Sequence, residues 1–338
     1  MFFASDNGAP VAPQIMAAIA AANEGYALSY GLDPRTLALR DQIRTVFEAP
    51  RAEVILLTTG TAANALALAS HCPPWGAIYC HAEAHVALDE CGAPEFFSGG
   101  GKLHLLDGAH GKIAPETLQT ALEAADRSVH SVQPATLSLT NVTEAGTVYH
   151  ACEVAALAAI ARAHSLPVHL DGARLANALA ATRACPADMT WRAGVDVLSL
   201  GGTKNGLMAA EAVVLFNPAK ARELELRRKR AGHLGSKIRF VAAQFEAWFQ
   251  GGLWLDLARQ SNAMGAYLAD GLRDLPGVTL HHEVEANMVF ANLPAVMHAR
   301  ASASGAVYAA GADGRCRLVT SWSTTKAEVD RFLTVLRG

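Results

Sequence analysis

Hydrophobic positions follow two alternating patterns along the first 250 residues of the chain. Segments with apolar residues every three or four positions predict helices, and short continuous apolar runs between them predict buried strands. Helices are expected at Pro13–Ala22, Leu37–Phe47, Thr61–Ser70, Pro115–Ala125, Cys152–His164 and from Leu175 onward. Strands are expected at Ile55–Leu57, Ala77–Tyr79, Thr136–Leu139, Val168–Leu170, Val195–Leu200 and Ala212–Phe216. This alternation is typical of an α/β domain built around a largely parallel sheet.

The pattern changes after Gln250-Gly251-Gly252. A long helix is expected from Leu253 to Leu272, and the runs Val278–His281 and Met288–Asn292 then alternate like paired strands. We therefore expect a large domain with an N-terminal arm over residues 1–250. A smaller α+β domain is expected over residues 251–338.

Composition excludes several classes of protein. Of the 338 residues, 51% are hydrophobic and only 17% are charged, which indicates a large core, and the net charge of −3 provides no basic field for nucleic acid. The stretch Val54–Ala82 contains no charged residue, but polar residues and prolines interrupt it, so no membrane span is predicted. The six cysteines lack the spacing of a metal site or a disulfide framework. Without a signal-peptide pattern, a cytoplasmic protein that binds a small molecule is expected.

Three segments that follow predicted strands carry residues suited to chemistry. Asp171 ends one strand, and Lys204 lies among small residues after another. Gly60 and Thr61 lie between a strand and a helix, where free N–H groups and the helix dipole favour an anion. Since ligands of open α/β sheets bind beyond the carboxyl ends of the strands, these segments are expected near one ligand.

Each segment also has an ordinary structural explanation. Asp171 could cap the next helix and pair with Arg174, Lys204 could be a solvated loop lysine, and the threonine could be a simple N-cap. The combination favours pyridoxal phosphate. Its aldehyde needs a lysine to form a Schiff base, its ring nitrogen needs an anion, and its phosphate needs an anion site.

These residues belong to a wider resemblance. The sequence resembles the low-specificity L-threonine aldolases and phenylserine aldolases of the β-eliminating lyase group over nearly its whole length. The resemblance is carried by Ser5–Asn7, Tyr30–Pro34, Gly60–Asn64, Ala84–His85, Leu137–Leu139 with Asn141, His169–Arg174, Thr203–Lys204 and Arg317–Thr320. It implies the aspartate aminotransferase-like fold, known as fold type I, and pyridoxal 5'-phosphate as cofactor.

The resemblance implies a role for each cofactor-binding residue. Lys204 would be the Schiff-base lysine and Asp171 the partner of the ring nitrogen. Gly60 and Thr61 would hold the phosphate, and His85 would stack on the ring.

The resemblance also implies the substrate contacts. Ser5, Arg174 and Arg317 would bind the substrate carboxylate, for which the planar fork of arginine is suited. Arg174 would also lie beside the cofactor. His130 aligns with a histidine that lies near the substrate side chain.

The chain departs from the family pattern at two places. Thr140 stands where many members have a glutamate, and the segment 232–239 differs from a Gly-rich stretch that carries an arginine. The phosphate contact from a neighbouring subunit would therefore come from Lys237 or Arg239. Tyr30 is a second candidate for such a contact, so a homodimer or a homotetramer is expected.

The expected activity is retro-aldol cleavage of an L-β-hydroxy-α-amino acid, such as threonine, allo-threonine or phenylserine, to glycine and an aldehyde. The base that takes the hydroxyl proton is left open among His85, His130 and a bound water. β-Elimination or racemisation on the same cofactor is the first alternative. A regulator that only binds cofactor or amino acid is a more distant one.

Overall fold

The computed structural model describes residues 1–311 and 313–338. The helices are α1 Pro13–Ala21, α2 Pro34–Val46, α3 Gly60–Ala69, α4 His85–Leu88, α5 Ala93–Ser98, α6 Pro115–Glu123, α7 Ala151–Ala163, α8 Leu175–Thr182, α9 Pro186–Met189, α10 Ala221–Arg230, α11 Arg239–Phe249, α12 Leu253–Arg273, α13 Ala295–Ala303 and α14 Lys326–Arg337. The strands are β1 Glu53–Leu57, β2 Gly76–His81, β3 Lys102–Leu106, β4 Gln133–Thr140, β5 Val168–Gly172, β6 Val197–Gly201, β7 Glu211–Leu215, β8 Thr279–Leu280, β9 Met288–Asn292, β10 Ala309–Ala310 and β11 Arg315–Val319.

The helices and strands expected from the hydrophobic pattern are confirmed, with shifts of a few residues at their ends. The largest shifts are of three residues: α2 begins at Pro34 rather than Leu37, and β4 begins at Gln133 rather than Thr136. Asp33 caps this helix, because its side chain accepts hydrogen bonds from the N–H and the hydroxyl of Thr36 at 2.8 and 2.7 Å. Proline at the first helical position fits the same start. The helices α10 and α11 and the short elements β3, α4, α5, α9 and β10 were not predicted.

The large sheet has the strand order β1-β7-β6-β5-β4-β2-β3. Its strands are parallel except β7, which runs antiparallel to both of its neighbours, β1 and β6. The carboxyl ends of β1, β2, β5 and β6 therefore lie at one edge of the sheet. Because β7 is reversed, the start of β7 lies at that same edge.

The uncharged stretch Val54–Ala82 forms β1, α3 and β2 inside this domain. Every side chain from Ala62 to Ala69 of α3 is buried, since the helix packs between the sheet and the helices α5 and α10. In the described part of the chain, no helix has the length and apolar character needed to cross a membrane.

A second sheet, with the order β10-β11-β9-β8, has its own hydrophobic core with α12, α13 and α14. Helix α12 joins the two cores: Trp254 packs in the first, and Leu268 packs in the second. The N-terminal segment also reaches the second core, where the rings of Phe3 and Phe332 lie 5.0 Å apart. A division of the chain at residue 250 stays a prediction.

Candidate active site

A cavity of about 260 Å³ opens at the carboxyl edge of the large sheet. This volume is far larger than the roughly 10–15 Å³ that one water needs. The lining residues are Asn7, Thr58, Thr59, Gly60, Thr61, Asn64, His85, Asp171, Ala173, Thr203, Lys204 and Glu211. The structure thus brings together five of the predicted cofactor residues: Gly60, Thr61, His85, Asp171 and Lys204.

Asp171 is held in the cavity wall as a buried carboxylate. Its Oδ1 accepts the N–H of Ala173 at 3.0 Å, and its Oδ2 accepts the Asn64 Nδ2 group at 2.9 Å. Asp171 makes no ion pair with Arg174, whose guanidinium bonds elsewhere, so the local pairing considered above is wrong. Asp171 does not cap α8 either, since the N-cap residue is Arg174.

The start of α3 combines a threonine cap with an open N-terminus. The hydroxyl of Thr59 accepts the N–H of Ala62 at 3.3 Å. The first N–H groups of a helix have no partner within the helix, and those of Gly60 and Thr61 belong to residues that line the cavity. A Cβ at Gly60 would meet nothing within 4 Å, because this residue faces open space. The helix start can therefore receive an anion.

Lys204 has a buried glutamate as its neighbour in the cavity. It lies in a short 3-10 turn directly after β6, and Glu211 begins the reversed strand β7, where it pairs with Gly201. Glu211 is 6% exposed. Burial raises the pKa of Glu211 to about 7, although the charge of Lys204 and hydrogen bonds to Thr203 act in the opposite direction.

His85 is connected to Asp171 through two buried side chains. Its Nδ1 lies 2.9 Å from Oε1 of Glu90, and Asn64 Nδ2 donates to that same oxygen at 2.8 Å. The second hydrogen of the Asn64 amide goes to Asp171. The hydrogen bond to Glu90 raises the pKa of His85, while burial acts to lower it.

Arg174 is engaged in a buried ion pair. Its Nε and one terminal nitrogen donate to the two carboxylate oxygens of Asp6 at 2.7 and 2.9 Å, and Asn287 Nδ2 donates to Asp6 at 3.0 Å. Burial acts to raise the pKa of Asp6, but Arg174 holds it below its ordinary value. Ser5 precedes Asp6 and accepts the N–H of Asn7 at 3.2 Å. The predicted carboxylate site is therefore organised around a residue that sequence reasoning did not single out.

Arg317 lines a second cavity, of about 490 Å³, between the two sheets. Its Nε is buried and has no partner among the described residues. Glu144 lines this second cavity. Burial acts to lower the pKa of Arg174, but Asp6 and, less strongly, the charge of Glu144 raise it. Glu144 thus lines the cavity of one predicted carboxylate-binding arginine and acts on the charge of the other.

His130 is the predicted catalytic residue that the fold does not bring to the cavity. It is exposed in the loop before β4, at the amino end of that strand, whereas the cavity lies at the carboxyl ends. The expected position beside the substrate is therefore not formed within one chain.

Tyr30 and Lys237, the candidates for contact with a neighbouring subunit, are exposed and lie outside the cavity. Their segments contact each other, because the N–H of Tyr30 donates to the carbonyl of Ser236 at 3.0 Å. They thus form one surface of the molecule.

Sequence reasoning missed four polar residues of the site: Asp6, Asn64, Glu90 and Glu211. Asn64 and Asp6 lie inside segments that carried the family resemblance, but no pattern separated them from their neighbours. Glu211 directly precedes a predicted apolar strand, and Glu90 lies outside the predicted elements. Only their burial, 3% and 6% exposed, marks them as unusual.

Comparisons with known proteins agree with this geometry. A family model described as β-eliminating lyase matches residues 3–294. The low specificity L-threonine aldolase of Pseudomonas aeruginosa is 42% identical over 325 residues, which cover 95% of this chain and 93% of that protein. The structure of Leishmania major threonine aldolase matches with a TM-score of 0.93 and 31% identity, over 99% of this chain and 98% of that one.

A more distant structure confirms the fold type. Serine palmitoyltransferase of S. paucimobilis, solved with bound pyridoxal phosphate and myriocin, matches with a TM-score of 0.74 over 100% of this chain and 86% of that one. At 16% identity this likeness shows the fold alone. The expected fold type I architecture, with its mostly parallel sheet, is confirmed.

Proposed function

This chain belongs to the β-eliminating lyase family, and we propose that it is a low-specificity L-threonine aldolase that cleaves L-β-hydroxy-α-amino acids to glycine and an aldehyde. One observation carries the proposal: Lys204, Asp171 and the start of α3 line a single cavity. The 42% identity to the Pseudomonas aeruginosa enzyme over nearly the whole chain supports the same reaction class.

The residues of this cavity fit pyridoxal 5'-phosphate. The buried carboxylate of Asp171 suits a protonated ring nitrogen, and the open N-terminus of α3 suits a phosphate dianion. Lys204 would bind the aldehyde covalently. When bound, the cofactor supplies an electron sink for the pair released from the Cα–Cβ bond.

The polypeptide contributes binding and proton transfer. Asn64 fixes Asp171 from inside the protein, so that this carboxylate needs no rearrangement when it meets a cation. Arg317, with an unpartnered buried Nε, and Arg174 would orient the substrate through its carboxylate. Such orientation places the Cα–Cβ bond of the substrate in the geometry required for its cleavage.

His85 is the side chain best placed to accept the proton of the substrate hydroxyl. It lines the cavity, and its hydrogen bond to Glu90 raises its pKa, which makes it a stronger base. His130 would need to come from another subunit.

We also propose that the active form is a homodimer or a homotetramer. The segment around Tyr30 exposes the large apolar side chains of Tyr26, Leu28 and Leu32. Such a contiguous apolar surface marks an interaction site. Light scattering of the purified protein gives the mass directly, and a monomer that is fully active would contradict this part of the proposal.

The proposed function is tested with a panel of L-threonine, L-allo-threonine and phenylserine. The expected products are glycine and the corresponding aldehyde in equal amounts, from a protein with visible cofactor absorbance. A keto acid with ammonia would instead indicate β-elimination, and recovery of the opposite amino acid isomer would indicate racemisation. A colourless protein that gains nothing from added pyridoxal phosphate would contradict all three activities.

A further inference from the structure

Glu90 is a buried carboxylate in a chain reversal five residues after His85. Helix α4 ends at Leu88, and Cys91 and Gly92 then both adopt left-handed backbone angles, with φ of 52° and 73°. Two such residues in succession turn the chain sharply. The reversal leaves Glu90 beside the histidine that begins the helix.

The contacts of Glu90 use only one of its two oxygens. Oε1 is 2.9 Å from His85 Nδ1 and accepts the Asn64 amide at 2.8 Å. Oε2 is buried and has no partner among the described residues. The Glu90 side chain is fully buried, whereas that of His85 is 27% exposed.

This arrangement determines which nitrogen of His85 carries a hydrogen. A carboxylate only accepts hydrogen bonds, and Oε1 already accepts the Asn64 amide, so this geometry favours Oε1 as the acceptor toward both of its neighbours. The contact at Nδ1 is therefore donated by the histidine. In neutral imidazole the other nitrogen, Nε2, is then the acceptor.

Asn64 makes this pair part of a larger rigid unit. Its amide donates one hydrogen to Glu90 and one to Asp171, and its side chain projects from the buried helix α3. Two carboxylates are thus held at a fixed separation by a single amide. Hydrogen bonds from neighbouring protein groups fix the orientation of the side chains that touch a ligand.

We propose that Glu90 is the positioning residue of His85, holding the hydrogen on Nδ1 and leaving Nε2 as the acceptor. Only the role of Nε2 as a proton acceptor during catalysis rests on the proposed function. In that reaction the hydroxyl proton of the substrate passes to Nε2, and the Nδ1 hydrogen stays in place. The Cβ–O bond becomes a carbonyl as the Cα–Cβ bond breaks, and the electron pair of that bond stays with the glycine fragment.

The proposal is tested in the protein without cofactor, by NMR of ¹⁵N-labelled histidine side chains. His85→Asn identifies the His85 signals by their loss. The expected result for the unsubstituted protein is a neutral ring with hydrogen on Nδ1. A ring with hydrogen on Nε2 would overturn the proposal, and this measurement needs no substitution at Glu90.

The variant Glu90→Gln keeps the shape of the side chain and removes its charge. The pKa of His85 is expected to fall by about one unit or more, because the charged hydrogen-bond partner is lost. Glu211→Gln is the matched control. It removes a different buried carboxylate, which lines the cavity but makes no hydrogen bond to His85, so it should shift the pKa of His85 much less. Equal shifts in the two variants would contradict a positioning role.

These measurements separate the inference from the proposed function. If the unsubstituted protein failed to cleave the amino acid panel but showed the Nδ1 hydrogen and the shift in Glu90→Gln, the proposed function would fall and the assignment of Glu90 would stand. If the protein cleaved the panel while His85 showed neither feature, the assignment alone would fall.

Discussion

The two cavities of this molecule differ in how their charged groups are satisfied. In the cavity at the sheet edge, Asp171 and His85 each have protein partners, joined through Asn64 and Glu90. In the cavity between the sheets, Arg317 retains a buried nitrogen without a partner among the described residues. Protein contacts therefore orient Asp171 and His85 in the first cavity, although Oε2 of Glu90 behind them also has no partner among the described residues. In the second cavity the unpartnered group is a cation, which suits a substrate carboxylate.

The largest effect is expected from Lys204→Ala, which tests whether the chemistry belongs to the first cavity. Visible cofactor absorbance and cleavage should be lost together, with activity at least about 10³-fold lower, since no other group replaces the covalent lysine. Absorbance spectra and aldehyde release are the measurements. Lys102→Ala, at an exposed lysine of β3, is the control and should keep both. Retained cleavage in Lys204→Ala would show that the first cavity is not the reaction site.

Arg174→Leu tests how much the buried ion pair of Arg174 with Asp6 contributes to stability. It leaves Asp6 charged and unpaired in the interior, at a cost of about 3–5 kcal/mol in the free energy of unfolding. Chemical denaturation measures this cost. Arg192→Leu is the control, because the pairs of Arg192 with Glu48 and Asp188 are exposed to solvent and should contribute far less to stability. Adding Asp6→Asn to Arg174→Leu should recover part of the loss, and no recovery would argue against an uncompensated charge.

Glu211→Gln tests a carboxyl group of the first cavity whose pKa is strongly raised. Its folded pKa of about 7 lies above the ordinary value of 4.5, so the folded state binds the proton more tightly. The free energy of unfolding therefore falls as pH rises from 4.5 to 7, because ionised Glu211 destabilises the folded state. Above that range the loss is complete, at roughly 3 kcal/mol.

The variant should consequently gain stability at pH 8 and gain none below pH 4. Denaturation of the cofactor-free protein at both pH values measures the difference. An equal change at the two pH values would show that Glu211 is not buried as a proton-binding group.

The smallest effect is expected from Arg317→Lys in the second cavity. A lysine keeps the charge but loses the planar fork, so kcat/KM should fall by about 10–100-fold while the free energy of unfolding changes by less than about 1 kcal/mol. Arg315→Lys, on the same strand and also lining that cavity, is a comparison that should have a weaker effect. If Arg317→Lys changed stability as much as Arg174→Leu, the contrast between the two regions would be lost.

Much of the first cavity could be predicted from the sequence, because its residues follow strands directly. Asp171, Lys204 and Gly60 each come at the carboxyl end of a short apolar run, and parallel strands bring such ends to one edge. Glu211 could not be found this way. It begins a strand, and only the reversal of β7 places a strand's start at that edge.

Long-range pairing explains the other differences. Asp6 and Arg174 are 168 positions apart, and nothing in the local sequence around Arg174 predicts that it pairs with a buried carboxylate. His130 resembles a family residue in sequence, yet the direction of β4 places it at the opposite edge of the sheet from the cavity.

The sequence by itself determined most of the helices and strands, the mostly parallel sheet and the lysine, aspartate and helix start suited to the cofactor. These follow from local periodicity and from the chemistry of residues at strand ends. The tertiary structure decided which charges are buried together, because burial and pairing depend on residues far apart in the chain. It placed Glu90 against His85, Asp6 against Arg174, and Arg317 in a cavity of its own.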